Sequence, residues 1–221
     1  TWPTCKGRII PALSDTSELI EFSHRSVSGV LLIVTLIIFA KTRKFQKNSL
    51  VRTVTNYLTF FVIFEALIGA VIVIFEWVGL NSSLPRIIAV PIHLVNTFGL
   101  LGCYAILYKI LDENIEEIIS MFNKNFIFIS SLFLLSGATG SIAALADVLF
   151  PSASFIEGFL ADFDRTSEIL TRLRILHPIV SSALSLVLYV YSVRINKKYN
   201  IRVKPLQTLI FVAVFLGFLN V

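Results

Sequence analysis

Residues 56–80 read NYLTFFVIFEALIGAVIVIFEWVGL, and only Glu65 and Glu76 carry a charge in this run. A helix that crosses the hydrocarbon core of a bilayer needs roughly 20 mostly apolar residues. The chain has further runs of the same character at Leu19–Ala40, Pro85–Leu111, Phe126–Phe150, Ile169–Val193 and Leu206–Val221. Because backbone polar groups in lipid must be satisfied within the segment, the sequence predicts an all-α polytopic membrane protein with six transmembrane helices.

The composition excludes a soluble domain. Hydrophobic residues make up 56% of the chain, charged residues 15%, and the mean hydropathy is +0.83. A soluble domain of this length could not hide that much apolar surface. The formal net charge is +5, but the basic residues lie at the ends of the apolar runs and not in one patch. The charge therefore indicates membrane topology and excludes nucleic acid as a partner.

The loops between the runs predict the orientation in the membrane. The basic residues of the loops after the first and fifth runs are Lys41, Arg43, Lys44, Lys47, Arg52, Arg194, Lys197, Lys198, Arg202 and Lys204. Cytoplasmic loops are enriched in Lys and Arg, so both loops are predicted to face the cytoplasm of a plasma-membrane protein. The turn 81–85 and the loop Pro151–Glu168 then lie outside. Residues 112–124 are mixed in charge and indicate little about orientation.

The loop Pro151–Glu168 contains apolar residues at helical spacing. These are Phe155, Ile156, Phe159, Leu160 and Phe163. The spacing predicts a short amphipathic helix. Such a helix could lie on the membrane surface or form a lid on the helix bundle, and the sequence leaves both open.

The three histidines of the chain are the main candidates for chemistry. His24 begins the first apolar run, His93 lies two residues after Pro91, and His177 lies near the start of the fifth run. With the predicted orientation, all three are near the outer face. An ionisable residue in a membrane helix indicates a functional site by default. Imidazole is a common axial ligand of haem iron, and helical bundles place such ligands on facing helices.

Charged residues accompany each histidine. Glu21 and Arg25 are four residues apart and share a helical face with His24. The other arginines near histidines are Arg86, Arg172 and Arg174. Arginine suits carboxylates such as haem propionates, although each could simply extend to the membrane interface. Glu65 lies deep in its run, where it is either neutral and hydrogen-bonded or lines a polar cavity.

A faint internal repeat relates the two halves of the chain. The sequence EFSHR at 21–25 resembles RILHP at 174–178, and the following runs contain Ile-Gly at 68–69 and Leu-Gly at 216–217. His93 comes about 24 residues after Gly69, so the repeat predicts a fourth histidine at the same distance after Gly217. The expected intact protein has two pseudo-repeated four-helix bundles, of which the first and last helices of eight are missing here.

These motifs resemble the heme A synthase family. The matching segments are Trp2–Gly7 with Ile10-Pro11, Glu21–Arg25, His93–Asn96, Gly137–Ser141 and Arg172–Pro178. The Glu-x-x-His-Arg opening is the most specific of them. The resemblance implies an oxidoreductase that converts the C8 methyl group of haem O to a formyl group, which gives haem A for cytochrome oxidase.

The resemblance also assigns roles to parts of the chain. Residues 1–111 would form the half with the substrate haem site, 112–125 a cytoplasmic linker, and 126–221 a truncated half with the haem b cofactor. Glu21 would be catalytic. His24 and His93 would bind the substrate iron, with Arg25 and Arg86 nearby, and His177 would bind the haem b iron, with Arg172 and Arg174 nearby. The implied partners are haem O synthase, a quinone or another electron acceptor, the lipid bilayer and, as an open question, a homo-oligomer.

The cysteines depart from the family pattern. Cys5 appears alone, and its expected disulfide partner would precede Thr1. The loop Pro151–Glu168 contains no cysteine, which excludes a disulfide there. Cys103 is interpreted as a small buried hydrophobic residue.

Two other functions fit parts of the pattern. A bis-histidine cytochrome b that only transfers electrons accounts for the histidines but gives Glu21 no role. A transporter built from repeated bundles could use Glu65 and the histidines in a proton or substrate path. Such transporters usually have broken helices near the midplane, for which Gly69 and Pro91 are the only weak candidates.

Overall fold

A computed structural model of the protein describes residues 16–47, 49–112, 123–199 and 202–219. Regular structure in these ranges is entirely helical. The helices are α1 (Thr16–Thr42), α2 (Leu50–Ile74), α3 (Leu84–Asp112), α4 (Lys124–Leu149), α5 (Phe155–Phe163), α6 (Ile169–Leu173), α7 (Leu176–Tyr199) and α8 (Lys204–Leu219). The predicted all-α class is confirmed. The predicted linker 112–125 lies mostly outside the described residues, as does Cys5.

The lengths and compositions of the helices confirm a multi-pass membrane protein. Within the described ranges, 5 stretches are long and apolar enough to cross a bilayer: Glu18–Thr42, Leu50–Ile74, Leu84–Ile110, Lys124–Leu149 and Ile169–Lys197. The sixth predicted run is a shorter apolar helix, Lys204–Gly217. Many large apolar side chains on these helices are exposed, as expected where lipid replaces water as the surrounding solvent.

The predicted end of the second run at Leu80 is wrong. Helix α2 ends at Ile74, and the chain then turns through Glu76 and Gly79, whose φ angles are 55° and 60°. Both angles lie in the left-handed region, which stops a right-handed helix. Apart from Glu76 and Gly79, residues 75–80 are large and apolar, so hydropathy alone could not separate a turn from a helix.

The predicted fifth run is one apolar stretch but not one continuous helix. It divides into α6 and α7, with Arg174 and Ile175 between them. Pro178 explains the division: it lacks a backbone N–H to donate to the carbonyl of Arg174, and its ring would clash with that carbonyl in a continuous helix. Proline is tolerated in the first turn of a helix, so α7 begins at Leu176 and His177 lies in its first turn.

The chain forms two compact units, residues 1–120 and 121–221. In the first, α2 packs against α1 and α3. Its core is built from Val54, Leu58, Val62, Leu100 and Cys103. Cys103 is a buried free thiol, which confirms its interpretation as a small hydrophobic residue. In the second unit, α4 packs against α6 and α7, α8 packs against α7, and α5 packs against α6.

Leu58 provides a test of the first core. It is fully buried in α2, whereas Leu67 on the same helix is 58% exposed. We expect Leu58→Ala to lower the stability by about 2–5 kcal/mol, because truncation leaves a cavity. Leu67→Ala leaves no cavity and is expected to change little. Thermal unfolding in detergent micelles measures both, and equal effects would contradict the packing described for α2.

Candidate functional site

The candidate site in the first unit centres on His93 of α3 and Glu65 of α2. His93 Nδ1 lies 3.4 Å from Glu65 Oε2, and the two side chains are 25% and 19% exposed. Helices α2 and α3 pack directly against each other. The predicted hydrogen bonding of Glu65 is confirmed, in a cluster of polar groups within an apolar bundle, whereas these contacts do not test its predicted neutral state.

Two further residues of α3 complete this cluster. Asn96 Nδ2 donates to Glu65 Oε2 at 2.5 Å and to the carbonyl of Phe61 at 2.9 Å, which uses both of its protons. The Thr97 hydroxyl contacts Glu65 Oε1 and lies 3.0 Å from the carbonyl of His93. Since His93, Asn96 and Thr97 are three and four residues apart, α3 presents all of them on one face. Both oxygens of Glu65 are therefore held by groups from α3.

Small residues allow the two helices to approach at this point. A Cβ atom on Gly99 would lie 2.8 Å from the Phe61 ring, and a Cβ on Gly69 would lie 3.8 Å from His93 Cε1. The first distance is shorter than real Cβ contacts allow, so Gly99 is needed for the observed packing of Phe61. The second is an ordinary contact. Glycine at position 99 therefore leaves room for the ring of Phe61, whose backbone carbonyl accepts from Asn96.

One ring nitrogen of His93 is not satisfied. Nδ1 is buried and has no hydrogen-bond partner among the described residues, although Glu65 Oε2 is near. The separation of 3.4 Å is too long for a strong hydrogen bond. Within the same ranges, no hydrogen bond is formed by the other ring nitrogen either. Nε2 of His93 thus remains able to bind a ligand, and Nδ1 is placed to tighten its contact with Glu65.

The predicted residues of α1 form a separate exposed group. Arg25 pairs with Glu21 four residues earlier, and their side chains are 26% and 52% exposed. His24 is exposed and makes no hydrogen bond or ion pair in the part of the chain that the structure describes. The structure therefore brings Glu21 and Arg25 together, as their spacing predicts, but forms no bond between His24 and the His93 cluster.

Arg86 lies at the start of α3 and holds the preceding turn. Its Nη1 atom donates to the carbonyl oxygens of Gly79 and Asn81, both at 2.6 Å. The Nε atom is buried without a hydrogen-bond partner among the described residues. Arg86 is thus partly committed to the turn 79–81, and its Nε and Nη2 donors are not used by these two hydrogen bonds. Its predicted role beside the substrate haem stays a prediction.

The candidate site in the second unit centres on His177 at the start of α7. Its Nδ1 lies 3.5 Å from the hydroxyl of Thr139 in α4. A Cβ atom on Gly140 would lie 2.9 Å from His177 Cε1. Glycine at this position is what allows the imidazole ring to lie against α4. The motif Gly137–Ser141, quoted above for its resemblance, thus supplies both the contact surface and the hydroxyl.

Arg174 connects three elements just before His177. Its guanidinium donates to Asp147 of α4 at 2.7 Å, to Asp162 of α5 at 2.8 Å and 2.7 Å, and to the carbonyl of Gly158 at 2.8 Å. The side chain is 15% exposed and that of Asp162 is 9% exposed. These contacts hold α5 against the bundle. The predicted role of Arg174 toward a haem propionate stays a prediction, since most of its donors serve these partners.

Arg172 differs from its neighbour. It is exposed and lines an open cavity of about 440 Å³ formed by Asp162, Phe163, Arg165, Ile169, Arg172 and Leu173. Near this cavity, the backbone N–H and hydroxyl of Thr166 both donate to Asp164 at 2.8 Å. The backbone hydrogen bond, followed by the hydroxyl, lowers the pKa of the Asp164 carboxyl. Because Arg172 is exposed and lines this open cavity, its guanidinium is accessible to an anionic group.

Helix α5 confirms the helix predicted in the loop Pro151–Glu168. Ser154 caps its N-terminus by accepting from the backbone N–H of Glu157. Phe155, Phe159 and Phe163 follow one another along the helix with ring centroids 6.3 Å and 5.1 Å apart. All three are exposed, which is typical of a helix with an apolar face on a membrane surface.

Several residues of these sites were not predicted. Thr97, Asp147 and Asp162 were not singled out, and Thr139 and Gly140 were noted only as part of the motif Gly137–Ser141, without a role of their own. Threonines in apolar helices commonly bond to their own backbone, so the position of Thr97 carried no signal of contact with another helix. The positions of Asp147 and Asp162 weakly indicated an ion pair, because an isolated carboxylate beside an apolar run needs a partner.

Comparison with known proteins identifies the family to which the chain belongs. A family model described as a cytochrome oxidase assembly protein, COX15-CtaA, matches residues 12–221. A protoheme IX farnesyltransferase of Thermus thermophilus is 33% identical over 199 residues, which are 86% of this chain and 31% of that protein. No solved structure matches the chain.

Heme A synthases are also among the similar proteins. That of Halalkalibacterium halodurans is 38% identical over 77 residues, which are 34% of this chain and 26% of that protein. That of Exiguobacterium sibiricum is 24% identical over 128 residues, or 58% of this chain and 42% of that protein. The chain thus spans less than half the length of each of these relatives. The family match covers both units, and the chain belongs to the heme A synthase family of cytochrome oxidase assembly proteins.

Proposed function

We propose that the chain acts in heme A synthesis as the oxidoreductase that converts the C8 methyl group of haem O to a formyl group. The conversion of the methyl group and one water to a formyl group releases four electrons and four protons, which pass to a quinone or another electron acceptor. Family membership is the observation that carries this proposal. The similarity to enzymes named heme A synthase supports it.

The residues of the first unit suit a bound substrate haem. An imidazole with unused nitrogens on an apolar helix is a suitable iron ligand, and both ring nitrogens of His93 lack a hydrogen bond among the described residues. His24 is exposed and unbonded in the same ranges, so it is able to serve as the second ligand. Arg25 and Arg86 keep donors that could bind propionates.

The residues of the second unit suit a haem b cofactor. A histidine whose ring lies against Gly140 is held by α4 in a defined orientation, as an axial ligand must be. Haem b, when bound, would supply one-electron chemistry. We propose that His177 holds its iron and that Arg172 binds a propionate. Arg174 would act indirectly, by holding α5 beside the cofactor.

Glu21 is proposed as the catalytic carboxylate. It lies one helical turn before His24, so a substrate bound by His24 would be close to its carboxylate. Its side chain pairs with Arg25 on the same face of α1. Glu21 could then accept protons released from the oxidised methyl group or stabilise positive charge that develops on it.

The proposed setting follows from the topology. We propose a plasma-membrane location with the histidines near the outer face, which the basic loops around Lys41–Lys47 and Arg194–Lys204 support. A protein named protoheme IX farnesyltransferase contains a region similar to most of this chain. This similarity supports an association with the enzyme that farnesylates protohaem to make haem O.

Glu21→Ala tests the proposed reaction. The intact protein is produced in a host that makes haem O but lacks its own heme A synthase, and extracted haems are separated by chromatography. We expect haem A to fall by at least about 100-fold, because a positioned proton-transfer group contributes that much or more. The haem b absorbance spectrum should remain.

Glu18→Ala is the matched control, since Glu18 lies one turn earlier on the same helix. This variant should make haem A as the unchanged protein does. Haem A production unaffected by Glu21→Ala would contradict the catalytic role of Glu21. A haem b spectrum without any haem A from the unchanged protein would favour a cytochrome b that only transfers electrons. The absence of haem absorbance from the gently purified protein would favour a transporter.

A further inference from the structure

Glu65 is the one ionisable side chain in contact with a proposed iron ligand among the described residues of the first unit. It approaches His93 Nδ1 at 3.4 Å through Oε2. The same oxygen accepts from Asn96, and Oε1 contacts Thr97. The proposed reaction gives Glu65 no role. A carboxylate within a membrane helix is costly unless it is paired or functional, so its position calls for an explanation.

We propose that Glu65 is a positioning residue that holds His93 with Nδ1–H directed to its carboxylate and Nε2 directed to the iron of the substrate haem. This inference rests on the proposed function for the identity of the iron ligand. The contact between Glu65 and His93 is itself independent of that function. The orphaned Nδ1 is the key observation, since the Glu65 carboxylate is the acceptor that lies beside it.

The surrounding hydrogen bonds make Glu65 a fixed acceptor. Asn96 is 5% exposed, and its amide protons are directed to Oε2 and to the carbonyl of Phe61. The carboxylate therefore cannot rotate away without breaking a buried hydrogen bond, which is unfavourable. An imidazole that donates to a carboxylate through one nitrogen keeps its lone pair on the other. That tautomer is the one that binds a metal through Nε2.

The described part of the second unit lacks this arrangement. His177 Nδ1 faces the neutral hydroxyl of Thr139 at 3.5 Å and no carboxylate. A carboxylate partner makes an imidazole a stronger electron donor than a hydroxyl partner does. We therefore infer that the two histidines are tuned differently. The Glu65 carboxylate would strengthen the histidine ligand of the substrate haem. The Thr139 hydroxyl would lie beside the histidine ligand of the haem b cofactor, which only carries electrons.

Two measurements on the full chain in detergent micelles test the role of Glu65. The first is the ¹⁵N NMR spectrum of labelled histidine, which reports the tautomer of His93 without haem. We expect Nδ1–H in the unchanged protein and a shift toward Nε2–H in Glu65→Leu. Glu65→Gln, which keeps the size and one acceptor oxygen, should shift less. Glu76→Gln is the control, because Glu76 is exposed at the end of the same segment.

The second measurement is the titration of ferric haem b into chains that also carry His177→Ala, so that only the first site binds. We expect Glu65→Leu to weaken binding by about 10–100-fold, the usual effect of removing a partner of a metal-bound histidine. An unchanged tautomer, or an unchanged affinity, would overturn the proposal. Loss of haem binding in every chain together with a tautomer shift would overturn the haem site and leave the Glu65–His93 contact supported.

Discussion

Replacing Arg174 with glutamine is expected to destabilise the second unit by about 3–5 kcal/mol, as is usual when one partner of a buried ion pair is removed. The guanidinium bonds to Asp147, Asp162 and the carbonyl of Gly158. Of the two carboxylates, Asp162 is 9% exposed and Asp147 is 49% exposed. The larger part of the loss should come from Asp162, which would keep a charge with little access to water.

Arg172→Gln is the matched control for this change. It removes the same charge two residues earlier, but from an exposed side chain, and surface charges contribute little to stability. Thermal unfolding in micelles should show a large drop for Arg174→Gln and almost none for Arg172→Gln. Adding Asp162→Asn to Arg174→Gln should recover part of the loss, since the uncompensated charge is gone. Equal effects of the two arginine variants would contradict the described contacts.

The prediction of the fold from sequence succeeded where the bilayer imposes the structure. Long apolar runs must be helical in lipid, so every predicted run contains a helix. The predicted helix boundaries were wrong where the local backbone conformation determines the end of a helix. The left-handed angles at Glu76 and Gly79 end α2 early, and Pro178 separates α6 from α7. Hydropathy carries no information about either effect.

The sequence singled out individual residues of the candidate site but not the partners that hold them. His93 and Glu65 were singled out because ionisable groups are rare in apolar segments, and Arg174 because it lies just before His177. Their partners depend on how the helices pack. Asn96 contacts Glu65 because α2 and α3 pack against each other, and Arg174 contacts Asp147 and Asp162 because α4 and α5 both pack against α6. The spacing of residues along the chain does not predict these contacts between different helices.

Gly140→Ala is expected to remove most of the haem b from the purified protein. The added methyl group would lie 2.9 Å from His177 Cε1 and 3.2 Å from Nδ1. The obstructing atoms belong to a ring held between two helices, so His177 must rotate away or α4 and α7 must separate. Overpacking of this kind costs about 1–3 kcal/mol. A displaced ligand should lower the haem b content by about 10-fold or more.

Two other glycines show whether this effect comes from the histidine. A Cβ on Gly69 would lie 3.8 Å from His93 Cε1, which is an ordinary contact, and a Cβ on Gly29 would meet no atom within 4 Å. Both positions are helical, where alanine is favoured over glycine by roughly 0.5–1 kcal/mol. Gly69→Ala and Gly29→Ala should therefore keep the haem b absorbance and unfold at the same or a higher temperature. If Gly140→Ala also kept the full absorbance, His177 could not be the iron ligand in the orientation described, because the ring and the new methyl group cannot occupy the same space.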